Sequence, residues 1–149
     1  MEVVQLKAKK IKGFSISTNN ANEMNPEIAK IGRLWQKFDD AVAVDYQHGD
    51  RVYGVYHNYE SDASGEFSVT AGFDGDEELS KERLEHVDIQ AGNYLVFSAT
   101  GEMPQIVIDT WIEIWGYFSS EACKHTRLFT TDFECYKSQN EIEIHIAVE

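Results

Sequence analysis

The sequence predicts a single α+β domain over residues 1–149, built from a βαββ unit that occurs twice, with two main helices packed on a mainly antiparallel sheet. Three observations predict it. Two helical stretches of apolar residues each follow a strand-like run and a proline, Pro26 in one case and Pro104 in the other. Each helical stretch is followed by two extended runs, 52–59 with 67–73 and 128–136 with 142–148. The two sets are offset by about eighty residues early on and by slightly fewer later, as a tandem duplication with halves at about 1–90 and 91–149 requires. A duplication of this kind predicts a pseudo-two-fold axis and a ligand cavity between the halves, since clefts at such junctions favour ligand sites.

Taken in order, residues 2–8 and 10–18 read as extended. Val3, Val4 and Leu6 carry the first run, and Ile11, Phe14 and Ile16 the second. Gly13 marks a bulge or a close backbone approach. Residues 18–22 are polar and turn-prone. Asn25 is placed to cap a helix that Pro26 opens, because proline's fixed φ and missing donor are tolerated in a first turn. Ile28, Ile31, Leu34, Trp35 and Phe38 then recur at helical spacing, with Glu27, Lys30, Arg33 and Lys37 largely on the other side. Residues 39–50 form a loop carrying Tyr46 and His48. The runs 52–59 and 67–73, joined by a turn at 61–65, predict an antiparallel hairpin. The acidic stretch 74–78 lacks the alternating oxygen ligands and distal Glu of a calcium loop.

Residues 84–89 predict a short strand and Gly92 a turn. Tyr94-Leu95-Val96-Phe97 then opens the second half, and Glu102-Met103-Pro104-Gln105-Ile106 echoes Glu23-Met24-Asn25-Pro26-Glu27-Ile28. The second helix runs from about Pro104 to Phe118, with Met103, Val107, Trp111, Ile114 and Phe118 as its apolar stripe. Ile108, Ile112 and Trp115 widen that stripe. In the strand 128–136, Phe129, Thr131, Phe133 and Cys135 share the face suited to a core, and Asp132, Glu134 and Tyr136 share the other. Taken alone, the acidic face reads as solvated, because acidic side chains are rarely buried. Residues 142–148 alternate cleanly and place His145 on a solvated face.

The formal net charge of −13 argues against binding nucleic acid through its phosphates, and against anionic membrane surfaces. It favours cationic partners. No apolar run approaches bilayer length, and the N-terminus has no basic region followed by an apolar stretch. Cys123 and Cys135 are too few for a disulfide framework and read as packed residues in a reduced, cytoplasmic setting.

The sequence has no glycine-rich phosphate loop, nucleophile elbow or His-Glu-x-x-His pattern. Cys123 and His125 sit on a loop with no evident orienting partner. Glu85 and His86 are adjacent on a strand and point apart, so they do not converge on a metal. His57 is the histidine best placed to line a cavity. No metal or cofactor is expected. What remains is aromatic surface and acid: Trp35, Tyr46, Tyr53, Tyr56, Tyr59, Phe73, Tyr94, Trp111 and Trp115, together with Glu134. Each aromatic taken singly reads as core. As a set with a carboxylate they suggest a pocket for a flat hydrophobic cation, each ring face contributing roughly 0.5–2 kcal/mol.

The chain resembles the GyrI-like, AraC-type effector-binding domain of multidrug-responsive regulators. The resemblance covers essentially its full length. It is carried by Lys10-Ile11-Lys12-Gly13-Phe14-Ser15, Ile31-Gly32-Arg33-Leu34-Trp35, Tyr53-Gly54-Val55-Tyr56, Ala91-Gly92-Asn93-Tyr94, Trp111, Trp115 and Asp132-Phe133-Glu134-Cys135-Tyr136. It implies a tandem βαββ fold with a cavity between the halves, and a glutamate at the Phe-Glu-x-Tyr position, here Glu134, that meets cationic ligands. Trp111 and Tyr56 match wall positions. The first expectation is therefore a binder of amphipathic or aromatic cations, without a DNA-binding domain of its own, using Glu134 with Trp111, Tyr56, Tyr94, Trp35, Tyr46, Phe73 and Trp115. A second is a hydrolase with Glu134 as general base, as some relatives in the resemblance suggest. A third is an interaction role, with a gyrase, a transcription factor or a second copy as partner.

Overall fold

The computed structural model of the chain describes residues 2–62 and 64–149; Met1, and Ala63 in the predicted 61–65 turn, lie outside the described residues. In chain order the strands are β1 (Glu2–Leu6), β2 (Lys9–Thr18), β3 (Val52–His57), β4 (Phe67–Phe73), β5 (Glu85–Ile89), β6 (Gly92–Thr100), β7 (Asp132–Ser138) and β8 (Glu141–Val148). The α-helices are α1 (Asn20–Glu23), α2 (Ile31–Ala41) and α3 (Gln105–Phe118).

All eight strands join one antiparallel sheet in the order β1-β6-β8-β7-β3-β4-β2-β5. The first half supplies β3-β4-β2 and the second supplies β7-β8-β6, so the halves meet at β3 and β7. Each βαββ unit is preceded by one short strand that crosses to the other half. β1 pairs with β6, and β5 pairs with β2. Only residues 7–8 join β1 to β2, although the two strands stand near opposite ends of the sheet order. So short a link reaches about 10 Å, so the sheet coils until its ends approach. Leu6 pairs with Gly92 and Lys9 with Ile89 in one continuous register, making two long bent ribbons that run past each other. Gly13 permits the close approach predicted for it, since a Cβ there would strike the Ala71 carbonyl.

Alternation along β3 and β7 divides the interior in two. Tyr53, Val55, Phe133 and Cys135 join Ile11, Ile89, Tyr94 and Ala147 in one core. On the other face lie the helices, α2 over β2 and β4, and α3 over β6 and β8. Leu34, Phe38 and Ala41 bury the inner side of α2, with Phe38 edge-on to Phe73. Thr110, Trp111 and Ile114 do so for α3. Each fully buried large apolar chain stabilises the fold by about 1.5–3 kcal/mol. Tyr56 and Tyr136 pack against both helix-side cores and so mark the seam between halves.

Several expectations are corrected. The first long helix begins at Ile31, not Pro26. Asn25 Oδ1 accepts from the Glu27 amide in a turn, while the Glu23 carboxylate accepts from Lys30 N and Ile31 N and so caps α2 from outside. The polar 18–22 stretch includes the start of α1, capped by Asn19. β7 begins at Asp132 rather than Leu128, because Phe129 adopts φ +54°, which breaks the extended run. On α3, Ile108, Ile112 and Trp115 are 50%, 56% and 42% exposed and do not widen the buried stripe. His145 is buried, stacked on Phe133 with ring centroids 4.4 Å apart. The coiled sheet covers a face that would be wet in a flat one. Gly92 opens β6 instead of forming a separate turn.

Candidate functional site

The halves meet where Gly54 on β3 stands opposite Glu134 on β7. An internal two-fold that relates the Trp35–Tyr136 contact to the Trp111–Tyr56 contact carries Tyr56 onto Tyr136, and along the paired strands Gly54 onto Glu134. The axis therefore passes through the Gly54–Glu134 pair. A glutamate at both positions would put two carboxylates in one place, so the sequence breaks the symmetry there. Gly54 makes the room. A Cβ on it would lie 2.6 Å from Glu134 Oε1 and 3.1 Å from the Trp35 ring.

Glu134 is 2% exposed. The Tyr136 hydroxyl donates to its Oε1 at 2.9 Å, and the Tyr56 hydroxyl donates to its Oε2, also at 2.9 Å. The Trp111 indole N–H adds a third bond to Oε2 at 2.7 Å. The rings repeat the symmetry. Trp35 of α2 meets Tyr136 edge-on at 5.4 Å, and Trp111 of α3 meets Tyr56 at 5.0 Å. These donors are neutral. Among the described residues no lysine, arginine or histidine forms an ion pair with Glu134. Burial pushes its carboxyl above the ordinary range, and the bonds from Trp111, Tyr136 and Tyr56 pull it part of the way back. Burial first, then the Glu134 charge, holds the Tyr56 and Tyr136 hydroxyls well above the usual phenol value. Both therefore stay protonated donors.

Two residues earlier on the same strand, Asp132 is 0% exposed. Its charge is matched internally: Arg127 Nη2 donates at 2.7 Å, the Tyr59 hydroxyl at 2.5 Å and the Ala147 amide at 2.8 Å. Arg127 also lies over the Phe129 ring at 4.3 Å.

Of the residues predicted for the site, Glu134, Trp111, Tyr56 and Trp35 come together. Trp115 stands beside Trp111 at 6.1 Å, partly open to solvent. Three others lie elsewhere. Tyr94 is in the opposite core, its hydroxyl bonded to Thr131 and the Gln90 carbonyl. Phe73 packs under Phe38. Tyr46 is 57% exposed on a short 3-10 turn. Tyr136 and Gly54 are the members that the sequence reading did not select. Tyr136 was legible from its two-residue spacing to Glu134, and Gly54 from a glycine set inside an aromatic strand.

The other titratable groups make different bonds. The Cys123 thiol donates to the His125 carbonyl, and His125 Nδ1 pairs with the Tyr117 hydroxyl, so cysteine and imidazole form no nucleophile–base pair. His57 Nε2 bonds to Thr70 Oγ1 at 2.8 Å on the face away from the helices. Two open surface depressions also lie away from Glu134. One of about 840 Å³ is lined by Gly101–Met103 and Ser138–Asn140, and one of about 370 Å³ by residues that include Ser15, His57 and Glu85. Shape alone would choose either; buried charge chooses Glu134. No helix among the described residues is long and apolar enough to cross a membrane.

The chain is similar to known proteins over nearly its whole length. Residues 2–148 match the model of Cass2, the integron-associated effector binding protein. An integron cassette protein from the mobile metagenome of Vibrio cholerae is 47% identical, with 99% of this chain and 95% of that one covered and a TM-score of 0.89. YobU, a candidate transcriptional regulator of Bacillus subtilis (strain 168), is 30% identical, covering 98% of this chain and 96% of YobU. SAV2435, solved bound to tetraphenylphosphonium, has a TM-score of 0.72 at 21% identity, covering 99% of this chain and 93% of that one, a likeness of fold. The match over nearly the whole chain, on the predicted two-half fold, establishes that this chain belongs to the Cass2 family of integron-associated effector binding proteins.

Proposed function

We propose that the chain binds amphipathic or aromatic organic cations between its two halves, with Glu134 as the counter-charge. One observation carries the reading: Glu134 is buried among three neutral donors and, among the described residues, forms no ion pair. Holding an ionised carboxylate out of water is costly, and a bound cation offsets that cost. Trp35, Trp111, Tyr56 and Tyr136 supply the ring faces and edges. Because Glu134 is 2% exposed, the ligand reaches it by displacing an aromatic side chain that now covers it. Tetraphenylphosphonium in the related fold of SAV2435 supports the ligand class. The likeness to YobU supports a sensing role in regulation, with the ligand as its signal.

Titrating the protein with tetraphenylphosphonium and with neutral triphenylphosphine oxide tests the reading. The cation is expected to bind at least about tenfold more tightly, since the desolvated charge pair and the cation–ring attraction act on it alone. Equal affinity for the two would remove the charge from the account.

A further inference from the structure

The arrangement around Glu134 specifies more than a positive charge. Its two oxygens each receive one tyrosine hydroxyl, from opposite halves of the chain, at the same 2.9 Å. Each tyrosine is backed by one tryptophan, at 5.4 Å for Trp35 on Tyr136 and 5.0 Å for Trp111 on Tyr56. The equivalence of these two contacts, with Gly54 paired to Glu134, places the carboxylate at the internal two-fold axis. The site is thus one central anion between two aromatic arms of like composition. The arms differ in one respect: Trp111 also donates to the carboxylate, at 2.7 Å.

We infer that the favoured ligand is a monocation whose charge lies between two aromatic groups, one for each Trp–Tyr arm, bound once per chain across the axis. The inference rests on the cation-binding reading and adds the position of the charge within the ligand. A ligand with its charge at one end can place that charge over Glu134 only by extending its rings to one side. It then engages one arm and leaves the other without a partner. A centred charge engages both. A second carboxylate does not stand on the axis, because its symmetry-related position is Gly54. The site therefore matches a single charge.

Two isomeric cations separate these geometries. Dibenzyldimethylammonium carries its charge between two benzyl groups. Biphenylmethyl-trimethylammonium has the same composition, with the charge at one end. Dibenzyl ether serves as the neutral control. The isomers hold ring content and net charge constant, so hydrophobic transfer contributes nearly equally to both. The centred isomer is expected to bind up to about tenfold more tightly, the worth of one additional aromatic–aromatic contact.

The same pair is then titrated against Trp35→Ala and Trp111→Ala, each checked for native circular dichroism. The ratio of the two affinities within one variant cancels the changed solvation of Glu134 that follows loss of the Trp111 N–H. That ratio is expected to fall towards one in both variants. A ratio near one in the unmodified protein, or tighter binding of the end-charged isomer, overturns the inference while leaving cation binding in place. So does a collapse of the ratio in one tryptophan variant with none in the other. If neither cation binds better than dibenzyl ether, the cation-binding reading fails and the inference fails with it. If a tryptophan variant does not fold, the isomer ratio in the unmodified protein still decides.

Discussion

Asp132 and Glu134 are two carboxylates on one face of one strand, both sealed from water, and they are held in opposite ways. Asp132 has a guanidinium, a phenol and a backbone amide, so its charge is neutralised within the chain. Its bonds tie β7 and the preceding segment to β8. Glu134 has two phenols and an indole, which hydrogen-bond both of its oxygens without cancelling its charge. Burial alone does not distinguish the two carboxylates. The distinguishing feature is a charge without an ion-pair partner on a carboxylate whose two oxygens are both hydrogen-bonded, which leaves a stable fold and an unfilled electrostatic requirement.

The largest expected effect breaks the pair on the Asp132 side. Arg127→Ala leaves Asp132 buried without its cation and is expected to destabilise the protein by about 3–5 kcal/mol, measured by urea unfolding. Glu134→Gln is expected to leave stability unchanged or raise it, because it removes a buried charge while the amide oxygen still accepts from Trp111 and the Tyr136 oxygen can accept from the amide. A large loss of stability in Glu134→Gln would erase the contrast between the two residues.

Acid sharpens the same comparison, once His145 is accounted for. Burial lowers the His145 imidazole to about 4 from an ordinary 6.5. A depressed value means that its contribution is fully present above 6.5 and is lost as pH falls towards 4. The stability of the unmodified protein relative to His145→Phe is therefore expected to fall by on the order of 2–3 kcal/mol between pH 7 and pH 4. Glu134 has the opposite sign. Its raised carboxyl contributes stability at acid pH that is lost as pH rises through the folded value. Any advantage of Glu134→Gln should consequently shrink as the solution is acidified. An advantage that grew in acid would mean that Glu134 is charge-paired in the way Asp132 is.

A smaller effect comes from the axis itself. Gly54→Ala places a methyl group 2.6 Å from Glu134 Oε1, so the carboxylate or Trp35 must shift. A cost of about 1–2 kcal/mol is expected by thermal or urea unfolding, together with weaker cation binding. Glycine-to-alanine changes at Gly32 and Gly116, where nothing lies within 4 Å, serve as controls that do not touch the site.

The duplication was legible in the sequence because each half repeats a helix pattern and two strand patterns at one offset. The crossing of β1 and β5 to the opposite half was not. Both are five-residue strands, and nothing in Glu2–Leu6 or Glu85–Ile89 names a partner on the far side of the sheet. The start of α2 was misread because its cap is the Glu23 side chain, eight residues before Ile31, while Asn25 and Pro26 form the nearer and more familiar signal. His145 was misread because period-two alternation gives the face but not whether the sheet coils over it. At the site, Glu134, Trp111, Tyr56 and Trp35 were legible from composition and family resemblance together. Tyr94, Phe73 and Tyr46 show the weakness of selecting aromatics by type alone. Their chain positions carry no statement of which side of the sheet they reach until the register is known.

The central claim is that Glu134 holds an unmatched charge for a cationic ligand. Calorimetric titration of the unmodified protein and of Glu134→Gln with tetraphenylphosphonium at neutral pH tests it most directly. The account predicts that the substitution weakens binding by at least about tenfold while the unfolding midpoint is maintained. Equal affinities in the two proteins would contradict it.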